Sequence, residues 1–375
     1  MDRKCLAMSK NPFNPTFGDV PKIYIDTDQR ADKLVRKIKE SDFARSFFIT
    51  GVRGSGKTSF MTQVEHELNK DKRCKCIDLV NDASLLDSFI SQLSNISQTK
   101  WQPIFSQIGL SSIKFKDLRV DFNNGNSNGN EIAEAAKIMM SHVNKNGQYV
   151  LVAIDEVDNS QQIRSFAQIF NELKRHNLPI FVLMTGLPDL VMDIQNEKRL
   201  TFLLRSEKEI MTPLQNSNMV LAYQSVFHCD IAVAQKMTKM VKGYSFAFQL
   251  LGYCAFEQWE ETKDAVPKFG DHQLSQIAEL YKMKLFDEAY NKIFADLSEM
   301  DQKYLIAVRG NKALKDVAKR LEVNSSYASQ YRRRAIARHL VQPASYGHVQ
   351  YVLPFFGDFI QATQDPNSIY FYDID

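Results

Sequence analysis

The chain has 375 residues, of which 44% are hydrophobic and 24% charged, and a formal net charge of +3. At roughly 150 residues per domain this length suits two or three domains, and no apolar run approaches the ~18 residues that a membrane span requires. The small net charge does not by itself point to a nucleic acid. Five scattered cysteines without a C-x-x-C pair exclude a disulfide framework and a zinc site.

From the start of the chain, no apolar stretch near Met1 suits a signal peptide, so a cytoplasmic protein is expected. The stretch from Asn11 to Pro21 is rich in Pro, Phe and Gly and forms no regular helix. Short β-rich runs at 46–50, 74–80, 149–155, 179–185 and 209–211 then alternate with helical patterns at 57–69, 84–96, 131–144 and 161–175. This alternation predicts a three-layer α/β domain with a parallel sheet, over residues 1–213. Cys74 and Cys76 lie on one side of the second strand and are expected to pack. Residues 101–130 break the rhythm with an alternating piece at 113–116 and an Asn/Gly/Ser tract at 123–130. So polar a tract buries too little surface to offset its ordering entropy. It is expected to be a loop, either a tolerated insertion or a contact to DNA or a neighbouring subunit. The pattern then turns helical: a lid and linker at 214–290, and a C-terminal unit at 291–375 with helical patterns at 298–308, 313–321 and 325–340.

The chemistry begins at Gly51-Val52-Arg53-Gly54-Ser55-Gly56-Lys57-Thr58, which fits G-x-x-x-x-G-K-[ST]. It follows an apolar strand and opens a helix. Glycines permit a backbone whose N–H groups converge on phosphate oxygens, aided by the helix N-terminus. Gly51, Arg53, Gly54, Ser55, Gly56, Lys57, Thr58 and Ser59 are therefore the expected contacts of a Mg-nucleoside triphosphate, most simply ATP. Lys57 bridges the β- and γ-phosphates and Thr58 ligates Mg2+ in this reading. The strand Val150 to Ile154 ends in Asp155 and Glu156. Asp155 is assigned to the magnesium, and Glu156 to polarising the attacking water. Thr185 ends a third strand and is either a sensor for that water or the γ-phosphate, or a plain strand terminus. Arg199 and Arg205 are candidates for neutralising transition-state charge, with Arg205 preferred over the alternative of a surface arginine.

In the C-terminal unit, Leu314, Val317, Ala318 and Leu321 give the second helix a buried face, and Ser325 or Ser326 is expected to cap the third. Two strands around Ser345-Tyr346-Gly347-His348 complete a winged helix-turn-helix pattern. In that architecture Ser326, Tyr327 and Gln330 face base edges of double-stranded DNA, Arg332, Arg333, Arg334 and Arg338 meet phosphates, and His348 reaches a minor groove. The alternative is a basic face that grips an acidic partner or keeps the unit soluble.

The P-loop, Asp155-Glu156, Thr185-Gly186-Leu187-Pro188 and the opening Asn11 to Pro21 together resemble AAA+ ATPases of the origin-recognition and helicase-loader type, bacterial and phage members above all. The resemblance implies that Pro15, Phe17 and Val20 line the base pocket. It also implies self-association in the ATP state and a role in replication initiation, helicase loading or delivery of a recombinase or other partner. Two stretches depart from it. Tyr24 to Arg30 lacks the usual Gly-Arg-Glu-like box, and the lid stretch Gly243 to Gly252 lacks a sensor arginine and looks closer to STAND ATPases. A slow ATP-hydrolysing switch acting on DNA is the leading expectation. A STAND-like signalling or defence switch whose C-terminal unit binds protein is the second, and a metabolic phosphotransferase a poor third.

Overall fold

The computed structural model describes residues 10–16, 18, 20–98, 128–188, 190–191, 194, 200–260, 268–310, 312–345 and 347–373. The chain divides into two compact units: a sheet unit, Asp28–Gly51 with Lys57–Met211, and a helical unit, Met1–Thr27 with Val52–Gly56 and Thr212–Asp375.

The sheet unit contains α1 (Arg30–Lys39), β1 (Arg45–Thr50), α2 (Lys57–Asn69), β2 (Cys74–Leu79), α3 (Leu85–Ser97), α4 (Asn128–Lys145), β3 (Tyr149–Ile154), α5 (Gln161–Arg175), β4 (Ile180–Gly186) and β5 (Glu207–Ile210). The strands are ordered β2-β3-β4-β1-β5, and every pairing is parallel. Side chains alternate across a strand, so apolar runs without polar breaks are what a sheet covered on both faces demands. In β3, Val150, Val152 and Ile154 enter the core shared with α3, α4 and α5, whereas Leu151 and Ala153 enter the one shared with α1 and α2. This is the expected three-layer α/β architecture. It differs at its margins: β5 begins at Glu207 rather than 209, and α4 begins at Asn128, inside the tract expected to be loop. Short polar residues that weaken a helix interior are favoured near its start, so composition alone misplaces that boundary. The pieces at 113–116 and 123–127 lie outside the described residues.

The helical unit contains α6 (Asn216–Phe227), α7 (Ile231–Val241), α8 (Ser245–Glu260), α9 (Asp271–Leu285), α10 (Asn291–Ala295), α11 (Glu299–Ala307), α12 (Leu314–Arg320), α13 (Ser325–Ala337), an antiparallel hairpin of β6 (Val341–Pro343) and β7 (Val349–Tyr351), and α14 (Phe356–Ala362). A π turn, Phe286–Tyr290, lies between α9 and α10. The wider turn brings Phe286, Ala289 and Tyr290 into the core together. One apolar core runs from Phe13 and Met219 through Tyr244, Tyr281 and Phe294 to Phe359. Asn324, not Ser325 or Ser326, caps α13, its side chain accepting from the Tyr327 N–H at 3.0 Å. Leu314 and Leu321 are only half-buried beside buried Val317 and Ala318. The hairpin does not end the fold, because Phe356, Phe359 and Ile360 recur at helical spacing and bury α14.

Candidate nucleotide-binding site

In the sheet unit, β1 delivers Gly51, and α2 starts at Lys57 and Thr58. Lys57 is buried, and its ammonium donates to the Gly51 carbonyl at 3.1 Å. The Thr58 hydroxyl donates to Asp155 Oδ2 at 2.8 Å. Thr58 and Asp155 therefore offer hard oxygens at one point, the donor type and placement that suit Mg2+ beside a phosphate. The Asp155 carboxylate is fixed on its other side as well. Its Oδ1 accepts from the Thr185 hydroxyl and, at 3.1 Å, from the Glu156 N–H. That same N–H donates to Thr185 Oγ at 3.0 Å.

This arrangement changes the part of Thr185. Fully buried, its hydroxyl is both donated to Asp155 and accepting from Glu156. It is thus engaged in holding the acidic turn. Glu156 sits in the left-handed region, at φ +50°, and its side chain is exposed. Such a backbone is held by its surroundings. One tie is Asn81, just after β2, which the sequence reading missed: its amide donates to the Glu156 carbonyl and to Asp158 Oδ1, both at 3.0 Å. An asparagine in a loop carries no signal until the fold brings it beside the acid pair. Glu65 on α2 was missed for the same reason. It is buried beside Asp78, and desolvation followed by that neighbouring carboxylate pushes its carboxyl up to about 9.

In the helical unit lies the tip of the P-loop, Val52–Gly56, with Gly54 at φ +73° and Gly56 at φ +90°. Those angles are available to glycine and strained for other residues. The Ser55 N–H closes a turn on the Val52 carbonyl at 3.2 Å. The Ser55 hydroxyl is buried without a hydrogen-bond partner in the protein, as a group waiting for a phosphate or water would be. The Arg53 guanidinium, assigned to the nucleotide by its place in the motif, lies 3.6 Å from Asp296. The opening segment packs on α8. Phe13 presses on Gly252, and the Gln249 side chain accepts from the Asn14 N–H at 3.0 Å and donates to the Ile23 carbonyl at 2.8 Å. Pro15 and Val20 are half-buried, and Phe17 lies outside the described residues.

Residues 27–185 match the KAP family P-loop domain, and residues 287–360 match a domain of unknown function, DUF8462. Among solved structures, the Aeropyrum pernix ORC2 protein is similar over 88% of this chain and 91% of its own, at 13% identity and a TM-score of 0.58. The likeness to ORC2 is one of fold, and the family match places a P-loop domain over the strands and helices of the sheet unit. Weaker likenesses are Cdc6p from Pyrobaculum aerophilum (10% identity, 93% of this chain, 95% of that one, TM-score 0.46) and Aeropyrum pernix ORC1 (11%, 92%, 94%, TM-score 0.45). No curated protein matches in sequence.

The remaining candidates lie in both units. Arg205 ends a short 3-10 turn, Thr201–Arg205, and is exposed, while Arg199 lies outside the described residues. On α13, Ser326, Tyr327, Gln330 and Arg333 are exposed, with Tyr327 at 53%. Arg332 and Arg338 are half-buried, and Arg332 Nε is enclosed without a partner. Arg334 departs from the expected role. Its Nε and one terminal nitrogen donate to Asp301 Oδ1 at 2.9 and 2.7 Å, and its guanidinium lies over the Tyr331 ring at 4.8 Å. It joins α13 to α11, a structural duty that competes with a phosphate contact. His348 is half-buried just before β7.

Proposed function

We propose that the chain is an ATP-dependent DNA-binding switch that turns over slowly. The observation carrying this reading is the Asp155 carboxylate, held between Thr58 and Thr185 with an exposed Glu156 next to it. Lys57 leaves the Gly51 carbonyl for the β- and γ-phosphates, and Thr58 and Asp155 are the residues that would hold a magnesium ion, which would offset phosphate charge. Glu156 receives the proton of the attacking water and orients it for in-line displacement. Arg205, being exposed, is available to a neighbouring copy's site. The similarity to ORC2, whose structure was solved in ADPNP and ADP complexes, supports an adenine nucleotide.

In the same reading, α11 to α13 and the hairpin act as a winged helix. The exposed first turns of α13 carry Ser326, Tyr327 and Gln330 toward bases, and Arg333 with Arg332 and Arg338 meets phosphates. A protein-binding signalling switch is the second reading, favoured by the lid turn at Gly243–Phe246, which carries no arginine. Gel shifts with duplex DNA, with and without Mg-ATP and combined with sizing of the complex, separate the two. ATP-dependent assembly on DNA supports the first, and assembly gated by nucleotide but indifferent to DNA supports the second.

A further inference from the structure

Three successive carbonyls at the tip of the P-loop are occupied by Tyr244 and the first turn of α8. The Arg53 carbonyl accepts from the Tyr244 hydroxyl at 2.8 Å, the Gly54 carbonyl from the Phe246 N–H at 2.9 Å, and the Ser55 carbonyl from the Ser245 hydroxyl at 3.0 Å. In a trans peptide the carbonyl of one residue and the N–H of the next point in opposite directions. Fixing the carbonyls of 53, 54 and 55 toward α8 therefore turns the N–H groups of Gly54 and Gly56 away from it, the orientation a phosphate nest needs, while that of Ser55 closes the turn on Val52.

The contact also serves the helix. The first N–H groups of an α-helix have no partner within it, and here a P-loop carbonyl takes that of Phe246. The fit is close. A Cβ on Gly54 would come within 2.3 Å of the Tyr244 hydroxyl and 2.9 Å of the Phe246 Cβ. The Tyr244 ring belongs to the apolar core that continues through Tyr281 and Tyr290 to α11 and α14. The Arg53–Asp296 pair, at 3.6 Å, adds a second attachment just before α11.

We propose that Tyr244 and Ser245 are positioning residues for the phosphate-binding loop. They hold its tip in the nucleotide-accepting form, so that nucleotide affinity depends on the packing of the C-terminal helices. This rests on the reading of the P-loop as the nucleotide site. By linkage, a nucleotide that grips the loop must in turn favour the arrangement of α8 and the core behind it. The clasp takes the place of a charged lid residue: it acts on the loop's backbone rather than on the γ-phosphate, which lets ADP and ATP both benefit.

The test uses the full chain and a fluorescent ADP with Mg2+, read beside thermal melting without nucleotide. Tyr244→Phe combined with Ser245→Ala keeps both side-chain volumes close to native and removes the two hydroxyl donors. It should weaken nucleotide affinity by about 10-fold, the equivalent of ~1.4 kcal/mol, while the nucleotide-free melting temperature moves little. Ser245→Ala alone should give a smaller loss, and Ser245→Thr, which restores the hydroxyl, should recover native affinity. Unchanged affinity in the double variant beside normal binding by the unaltered chain overturns the clasp and leaves the nucleotide site standing. A loss that follows nucleotide-free stability equally in the alanine and threonine variants overturns it too. Absence of binding by the unaltered chain overturns both.

Discussion

Thr185→Val is the sharpest probe of the acidic turn. Valine has nearly the shape of threonine, and position 185 is fully buried at the end of β4, so the change removes a hydroxyl and little else. Two hydrogen bonds go with it: one donated to the Asp155 carboxylate and one accepted from the Glu156 N–H at 3.0 Å. The first is charge-assisted and of the class worth ~1.5–3 kcal/mol. The second costs less, because that N–H keeps Asp155 Oδ1 at 3.1 Å. A stability loss of about 2–3 kcal/mol follows. The effect on turnover should exceed the effect on binding. A positioned base contributes on the order of 10²–10⁴ to rate, and a loosened Glu156 should forfeit part of that, about 10–100-fold in kcat. Nucleotide affinity should change less than about threefold, because Thr185 makes no bond to Lys57 or to the loop carbonyls. Phosphate release under saturating Mg-ATP, beside equilibrium binding of a fluorescent nucleotide, reads both quantities, and Thr185→Ser should restore kcat. If Thr185→Val hydrolyses ATP at the native rate, the hydroxyl does not position Glu156 and the argument fails.

Gly252→Ala should destabilise the helical unit by about 1–3 kcal/mol in chemical denaturation. The added Cβ would meet Phe13 ring atoms at 2.3–2.5 Å, and that ring is itself enclosed between Phe227 and Phe248. Glu65→Gln should stabilise the chain at alkaline pH. A buried acid raised from 4.5 to about 9 contributes its stability below the lower value and loses it as pH rises toward the upper one. The advantage of the variant in urea melts should therefore grow between about pH 6 and pH 8, by at most ~1.4 kcal/mol per unit, and a constant difference would refute the protonated carboxyl. Arg333→Ala should leave the melting temperature unchanged, weaken DNA binding and lower the salt slope by about 1. Arg334→Ala should instead reduce stability by ~1 kcal/mol, a modest figure because the side chain is partly exposed and Asp301 keeps the Ser298 hydroxyl.

The legible part of this protein was local. Strands β1, β3 and β4 are apolar runs followed by motif residues, so the parallel sheet and the sequence from Gly51 to Thr58 could be read from spacing and period alone. What escaped depends on contacts between residues distant in the chain. Asn81 and Glu156 are 75 positions apart, and Tyr244 and Arg53 are 191 apart. No period or motif links such pairs. Thr185 stands out in the sequence by its place at a strand end, yet its hydroxyl binds the acid pair because β3 and β4 are neighbours in the sheet. Arg334 illustrates the opposite error. A run of three arginines reads as one basic surface, but successive helical positions point about 100° apart, and one of the three faces α11.

Calorimetric titration of Mg-ATP into the full chain addresses the nucleotide site most directly. The account predicts saturable binding at one site per chain, abolished by Lys57→Ala and weakened when magnesium is chelated. Binding that survives Lys57→Ala undiminished, or no binding by the unaltered chain, would contradict it.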